Sequence, residues 1–267
     1  MPLLHLILVA LIQGITEFLP VSSSGHLILL PSLTGMEDQG VVIDVAVHLG
    51  TLVAVVLFFR RDVAVAVKGI APLMAGDRSD PGARLALNLA IATVPATLFG
   101  AFLGLTGLID MLRSIAVIGW TMLGFGLVLW WADRTGPTAR EAQDWTLRHA
   151  VIMGIWQALA LIPGTSRSGI TITGARVLGY GREDAARIAM LMSIPIILAT
   201  GLYAATDIAV TANVGLLRDA AIAALLACIA ALGALTLMMR LLRSVSFTPY
   251  VIYRVILGAI LLWIAYS

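Results

Sequence analysis

The sequence predicts an all-α polytopic membrane protein, built of six full transmembrane helices and two re-entrant helical hairpins arranged as an inverted-topology repeat. Three observations carry this expectation. Hydrophobic residues make up 60% of the 267-residue chain and charged residues only 12%, with a mean hydropathy of +0.99. Several apolar runs are long enough to cross a hydrocarbon core of ~30 Å. A serine-rich polar stretch interrupts such sequence twice, first as Gln13-Gly-Ile-Thr-Glu17-Phe-Leu-Pro20-Val-Ser22-Ser23-Ser24-Gly25-His26 and again as Gln157-Ala-Leu-Ala-Leu-Ile-Pro163-Gly164-Thr165-Ser166-Arg167-Ser168-Gly169. At one constant offset Gln13 falls on Gln157, Ser22 on Ser166, Ser24 on Ser168 and Gly25 on Gly169, as expected of two copies of one unit.

Taken in order, residues 3–33 form an apolar segment broken at Pro20, and the Ser/Gly run that follows frees backbone groups that lipid cannot satisfy. Non-helical backbone at membrane depth survives only inside protein or along a wet cavity, so the segment reads as two half-helices of a re-entrant hairpin. This stretch lacks a basic leader and carries Glu17, which sets it apart from a cleaved signal peptide and assigns it to the mature fold. Uninterrupted spans follow at 41–59, 85–107 and 113–131. The segment 147–178 breaks at Pro163-Gly164 and repeats the hairpin, and spans at 185–206, 216–241 and 249–266 complete the chain. Three crossings separate the hairpins, so they enter from opposite faces and their tips meet near the midplane, where inverted-repeat membrane proteins build their sites. The whole is expected to be one domain, 1–267, of two repeats at about 1–135 and 145–267.

Basic residues set the orientation. Arg60, Arg61, Lys68, Arg78, Arg84, Arg134, Arg140, Arg148, Arg176, Arg182, Arg187, Arg240 and Arg243 fall on one side in this topology, against Arg113 and Arg218 on the other. The richer side is expected to be cytoplasmic, which places both termini outside. Trp130, Trp131 and Trp263 near span ends suit an interfacial aromatic belt. The net charge of +2 is spread over membrane-flanking loops and not gathered into a stripe, so nucleic acid is excluded as a partner. The lone Cys228 leaves no intrachain disulfide or cysteine metal cluster.

The polar residues in the two breaks are the candidates for chemistry. An intramembrane carboxylate is costly enough to mark function, which singles out Glu17, and Gln13 lies one turn earlier on the same helical face. Arg167 is the basic residue expected at midplane depth, whereas Arg254, near the start of the last span, is expected to snorkel to the interface. A guanidinium at that depth needs an anion, and its planar fork suits phosphate or carboxylate. Around it, Gly164, Thr165, Ser166, Ser168, Gly169 and Thr171 supply tight turns, backbone N–H groups and hydroxyls that can wrap an oxyanion at the start of a half-helix. His26 is a candidate nucleophile, general acid or general base, and Ser22, Ser23, Ser24 and Gly25 complete the first break. Asp44 and His48, four apart on the next span, share a face and could orient each other or extend the site, at most as support from behind it. His5 and His149 are expected near the interfaces.

These residues resemble the undecaprenyl-diphosphate phosphatase family of bacterial inner membranes. The likeness rests on Gln13-x-x-x-Glu17, Pro20-Val-Ser22-Ser23-Ser24-Gly25-His26, Asp44-x-x-x-His48-Leu49-Gly50-Thr51 and Pro163-Gly164-Thr165-Ser166-Arg167-Ser168-Gly169-Ile170-Thr171, and covers nearly the whole chain. It implies metal-assisted hydrolysis of undecaprenyl diphosphate to the monophosphate, recycling a lipid carrier for envelope polymers. It further implies a divalent cation, Mg2+ or Ca2+, held partly by Glu17, and Glu17, Ser23, His26, Ser166, Arg167 and Thr171 as site residues. Many members carry glutamate where this chain has Gln13, which weakens a two-carboxylate metal site here. The Ser-Gly-His element is also similar to that of type-2 phosphatidic acid phosphatases, but Thr173 and Val177 stand where that family requires histidine and aspartate. The competing class is a transporter or flippase for a phosphorylated lipid or anion, which inverted repeats and midplane charges suit equally. The sequence leaves the state of assembly, monomer or homo-oligomer, open.

Overall fold

The computed structural model describes residues 1–211 and 213–267, without the side chains of 32, 33, 109, 110 and 205–211. The described residues are helical throughout, with no strand beyond an isolated bridge between Arg140 and Tyr180. In chain order the helices are α1 (Leu3–Thr16), α2 (Ser23–Thr34), α3 (Gly40–Phe58), α4 (Arg60–Lys68), α5 (Ile70–Met74), α6 (Pro81–Thr106), α7 (Leu108–Met111), α8 (Ile115–Thr135), α9 (Leu147–Ala158), α10 (Arg167–Val177), α11 (Arg182–Thr211), α12 (Val214–Leu241) and α13 (Thr248–Tyr266). Six of them, α3, α6, α8, α11, α12 and α13, are long and apolar enough to cross a membrane.

The spans agree with the expected ones to within a few residues, and the shifts have local causes. The second span starts at Pro81 and not at 85 because Asp80 caps it, its carboxylate accepting from the Ala83 N–H at 2.8 Å, with proline at the first turn where no N–H is needed. The short α4 and α5 between the first two spans were not expected. By contrast α1 and α9, at 14 and 12 residues, run only about 21 and 18 Å at 1.5 Å per residue. Each is followed by a non-helical turn and a second short helix, α2 or α10.

Packing pairs α1 and α3 with α12, α6 with α9 and α11, and α8 with α10 and α13. Small residues permit the close approaches. A Cβ at Gly50 of α3 would stand 2.1 Å from the Ala224 carbonyl oxygen of α12, and one at Gly154 of α9 would stand 2.7 Å from the Ala92 carbonyl oxygen of α6. Large apolar side chains such as Leu98, Phe102, Leu225, Ile229 and Ile256 point outward on the spans, as a lipid-facing surface requires.

The arginine-bearing loops meet at one end of the bundle. Asp133, buried at the end of α8, accepts from Arg176 Nε at 3.3 Å, Arg182 Nε at 2.8 Å and the Phe247 N–H at 3.2 Å, tying together the ends of α8, α10, α11 and α13. Arg187 pairs with Asp62, and Arg243 with Glu183 at 3.3 Å. At the other end the Met1 amine contacts Asp219 at 2.7 Å, and Trp120 donates to Tyr266 at 3.3 Å. His5, in the first turn of α1, is packed within the protein at 4% exposure.

Candidate active site

Both breaks are built alike. Ser22 and Ser166 are the two non-glycine residues with positive φ among those described, at 72° and 71°. Each caps the helix that follows: Ser22 Oγ accepts from the Gly25 N–H at 3.3 Å, and Ser166 Oγ from the Gly169 N–H at 3.1 Å. A second serine stands beside each cap, with Ser22 and Ser24 hydroxyls 3.4 Å apart and Ser166 and Ser168 hydroxyls 3.1 Å apart. Gly164 is forced by its surroundings, since its φ is +85° and a Cβ would meet Thr121 Oγ1 at 2.2 Å.

The two turns converge on one cavity of about 210 Å³, lined by Glu17, Ser22, Ser23, Ser24, His48, Gln157, Ser166 and Arg167 among others. Glu17, 8% exposed, stands at its centre. Its Oε1 accepts from Arg167 Nη2 at 2.7 Å, and its Oε2 accepts from Ser23 Oγ at 2.8 Å and Gln13 Nε2 at 3.0 Å. The remaining Arg167 Nη1 donates to the Ala189 carbonyl oxygen of α11 at 3.2 Å, and the guanidinium lies over the Phe18 ring. The expected meeting of Glu17, the first-break serines and Arg167 is therefore present, and the N-terminal residues of α2 and α10 line the same cavity. Two helix N-termini give it a positive field suited to an anion.

Several expected site residues lie elsewhere. His26 does not line the cavity. Its Nδ1 donates to the Ser22 carbonyl oxygen at 2.7 Å, which leaves Nε2 as acceptor for the Tyr253 hydroxyl at 2.5 Å, with the two rings stacked. Ser23 consequently has Glu17 and not His26 as its hydrogen-bond acceptor. Of the expected phosphate cradle only Ser166 and Arg167 reach the cavity. Ser168 Oγ is spent on the Leu19 carbonyl oxygen at 2.9 Å, Thr171 Oγ1 on its own helix at Arg167 and Ser168, and Thr165 Oγ1 is fully buried without a partner. Gly25 and Gly169 serve the caps, and the Gly164 carbonyl turns away to Arg254.

Two residues move the other way. His48, expected only to support the site from behind, lines the cavity with Nε2 3.8 Å from Glu17 Oε2. Its tautomer is set by Nδ1 donating to the Asp44 carbonyl oxygen at 2.7 Å, while the Asp44 carboxylate accepts from Gln39. The two orient each other through backbone, not side chain to side chain. Gln157, noted in sequence only as the repeat partner of Gln13, also faces the cavity. Both amides are oriented by their donors, Gln13 Nε2 on Glu17 and Gln157 Nε2 on the Ala92 carbonyl oxygen, so both Oε1 atoms are buried without a donor. The signal that could have found Gln157 was the offset itself.

An apolar helical bundle in which two interrupted helices bring a carboxylate, a guanidinium and serine hydroxyls to one buried cavity defines a polytopic membrane protein that handles an anion. Its sequence places it more closely. The chain belongs to the family described as bacitracin resistance protein BacA, matched over residues 6–260. It is 71% identical to the undecaprenyl-diphosphatase of Dinoroseobacter shibae and 68% identical to that of Ruegeria pomeroyi, in each case over the full length of both chains. The undecaprenyl-diphosphatase of Saccharophagus degradans, more distant, is 46% identical over 99% of this chain and all of its own.

Proposed function

We propose that the protein hydrolyses undecaprenyl diphosphate to undecaprenyl phosphate and inorganic phosphate, recycling the lipid carrier of peptidoglycan and other envelope polymers. The observation that carries this reading is the Ser23–Glu17–Arg167 cluster, set where two helix N-termini face one cavity, in a chain that full-length undecaprenyl-diphosphatases match so closely. Ser23 Oγ attacks the terminal phosphorus as Glu17 takes its proton, and the bond to the bridging oxygen breaks, releasing the prenyl monophosphate. Glu17 passes that proton to the departing prenyl monophosphate, then takes one from the water that attacks the phosphoserine and returns it to the Ser23 oxygen as inorganic phosphate leaves. Arg167, drawn off Glu17 by the incoming phosphate, neutralises the charge on the equatorial oxygens. The prenyl chain lies between helices facing lipid, and an apolar groove lined by Leu11, Ile15, Leu19, Ile229, Leu237 and Tyr250 begins two residues from Glu17.

A divalent cation, Mg2+ or Ca2+, fits the residues present. The Glu17 carboxylate and Ser23 Oγ would be its oxygen ligands from this chain, with His48 Nε2 alongside, while Gln13 turns its N–H toward Glu17. Among the described residues no group of three His, Cys, Asp or Glu could hold a metal ion by itself, so substrate phosphates would have to complete the coordination. Bound there, it would supply Lewis-acid stabilisation of phosphoryl oxygens.

The same reading makes α1–α2 and α9–α10 re-entrant hairpins of an inverted repeat. The shortness of α1 and α9, the two serines at like φ and the exchanged pairing of α1 with α12 and α6 with α9 support it. It places the chain in the bacterial inner membrane with the arginine-rich end in the cytoplasm and both termini outside. A homo-oligomer is compatible with this arrangement, and the site described is formed within one chain.

Purified protein in detergent, given a polyprenyl diphosphate, is expected to release inorganic phosphate; a transporter or flippase yields none, and that outcome ends the phosphatase reading. For orientation, an Arg78→Cys variant is expected to resist a membrane-impermeant thiol reagent in intact cells and to label once the membrane is opened. Labelling of intact cells reverses the sidedness of both hairpins.

A further inference from the structure

Arg254 was expected to snorkel, yet it is one of the most deeply buried side chains in the molecule, at 0% exposure. It enters the bundle from α13 and spends every nitrogen on backbone carbonyls. Nε donates to Met122 at 3.1 Å, Nη1 to Pro20 at 3.3 Å, and Nη2 to Thr121 at 3.3 Å and Gly164 at 3.2 Å. Met122 and Thr121 belong to α8. Pro20 and Gly164 are the matching residues of the two breaks, related by the same offset that relates Ser22 to Ser166, and each lies two residues ahead of its positive-φ serine. Among the described residues no carboxylate pairs with this guanidinium. Room for it comes from two glycines: a Cβ at Gly169 would stand 2.9 Å from Nη1, and one at Gly126 would stand 3.2 Å from Arg254 Cβ.

A buried charge without a counter-ion is unfavourable, and capping loose carbonyls does not require one. What a guanidinium offers over any neutral side chain is five N–H donors in a rigid plane, enough to hold carbonyls on three separate elements at fixed angles. Among the described residues two other hydrogen bonds join the breaks directly, Ser168 Oγ to the Leu19 carbonyl oxygen behind the cavity and Arg167 Nη2 to Glu17 Oε1 across it. The second of these must open when a phosphate takes Arg167. At that moment the separation of Ser23 on α2 from Arg167 on α10 is no longer held by their own side chains.

We propose that Arg254 is a positioning residue for phosphoryl transfer: it clamps the matching carbonyls of the two breaks from behind, so that the nucleophile and the phosphate-binding arginine keep their spacing while their direct link is broken. It touches neither substrate nor the reacting atoms. Its positive charge, lying behind both helix N-termini, adds to the field that draws an anion to the cavity.

This inference rests on the phosphatase reading and is tested separately from it. Arg254→Lys keeps the charge but loses the planar fork, and Arg254→Gln loses both. In monodisperse protein, with the folded fraction measured by thermal unfolding, Arg254→Lys is expected to lose at least tenfold in kcat with KM changed less than threefold. Arg254→Gln is expected to lose more and to raise KM as well. A purely structural role lowers the yield of folded protein and leaves kcat per folded molecule at the wild-type value, and that result overturns the proposal. If neither variant folds, Gly126→Ala decides the matter, because its methyl would stand 3.2 Å from Arg254 Cβ and 3.4 Å from Nε, pushing the guanidinium off its carbonyls by a few tenths of an ångström without touching either break. A drop in kcat of several-fold supports the clamp, and wild-type kcat overturns it. If wild-type protein releases no phosphate, the phosphatase reading itself fails, an outcome distinct from either of these.

Discussion

Glu17→Gln and Arg167→Lys are each expected to lower turnover by about a hundredfold or more, the scale seen when one preorganised electrostatic group is removed from a transition state. Glu17 Oε2 accepts from Ser23 and Oε1 from Arg167, so the single carboxylate serves both as proton acceptor for the hydroxyl and as the placeholder that keeps the guanidinium aimed at the cavity. Glutamine preserves the shape but cannot take a proton, and its N–H must face either Arg167, which only donates, or Ser23, whose hydroxyl would then accept instead of donating toward the base. Lysine preserves the charge but not the fork that holds Glu17 and the Ala189 carbonyl together. Breaking a buried pair also costs stability, roughly 3–5 kcal/mol, so turnover must be measured on monodisperse protein below its unfolding temperature. Losses under tenfold, about 1.4 kcal/mol of barrier, would remove these two residues from the centre of the chemistry.

Ser23→Ala is expected to be nearly as damaging, and far more so than Ser24→Ala. Both hydroxyls line the cavity, but only Ser23 donates to the carboxylate; Ser24 is exposed and contacts the cap hydroxyl of Ser22. If Ser23 attacks phosphorus, substrate labelled at the terminal phosphoryl leaves an acid-stable adduct on that residue after rapid quenching. An acid-labile adduct points to histidine, and the absence of any adduct, with near-wild-type turnover in Ser23→Ala, leaves water as the attacking group. His26 is placed to be reached through Ser22 and Tyr253 and not through the cavity, so His26→Ala should act through the shape of the first break and cost less than Ser23→Ala.

How much of this was legible beforehand follows from what each signal measures. Hydropathy finds spans well because lipid demands long apolar helices, and all six appear with ends displaced by a few residues. The breaks were legible because proline, glycine and serine in apolar sequence have no inexpensive alternative reading. Depth and direction were not. Arg254 lies six residues into α13, only about 9 Å along the axis, close enough to suggest snorkelling. Which way it points depends on α8 and both turns packing around it, and no local pattern records that. His26 and His48 show the same limit: the first shares a motif with the serines but points to Tyr253, while the second lies on another span and reaches Glu17. Proximity in sequence groups the first with the serines, whereas only the packing of α3 against the first break shows that the second reaches the cavity.

The matched serines at φ near +70° bear on how this protein can be thermally hardened. That backbone region is unfavourable for any residue with a side chain, and glycine would enter it freely. Replacing Ser22 or Ser166 by glycine thus offers a gain in backbone strain relief of order 1 kcal/mol or more. It also deletes the hydroxyl that holds the first turn of α2 or α10 and lines the cavity. The two positions where the chain could most readily be relaxed are the ones where relaxation disarms it, so a heat-tolerant yet active variant has to be sought in the lipid-facing and loop residues, away from the turns.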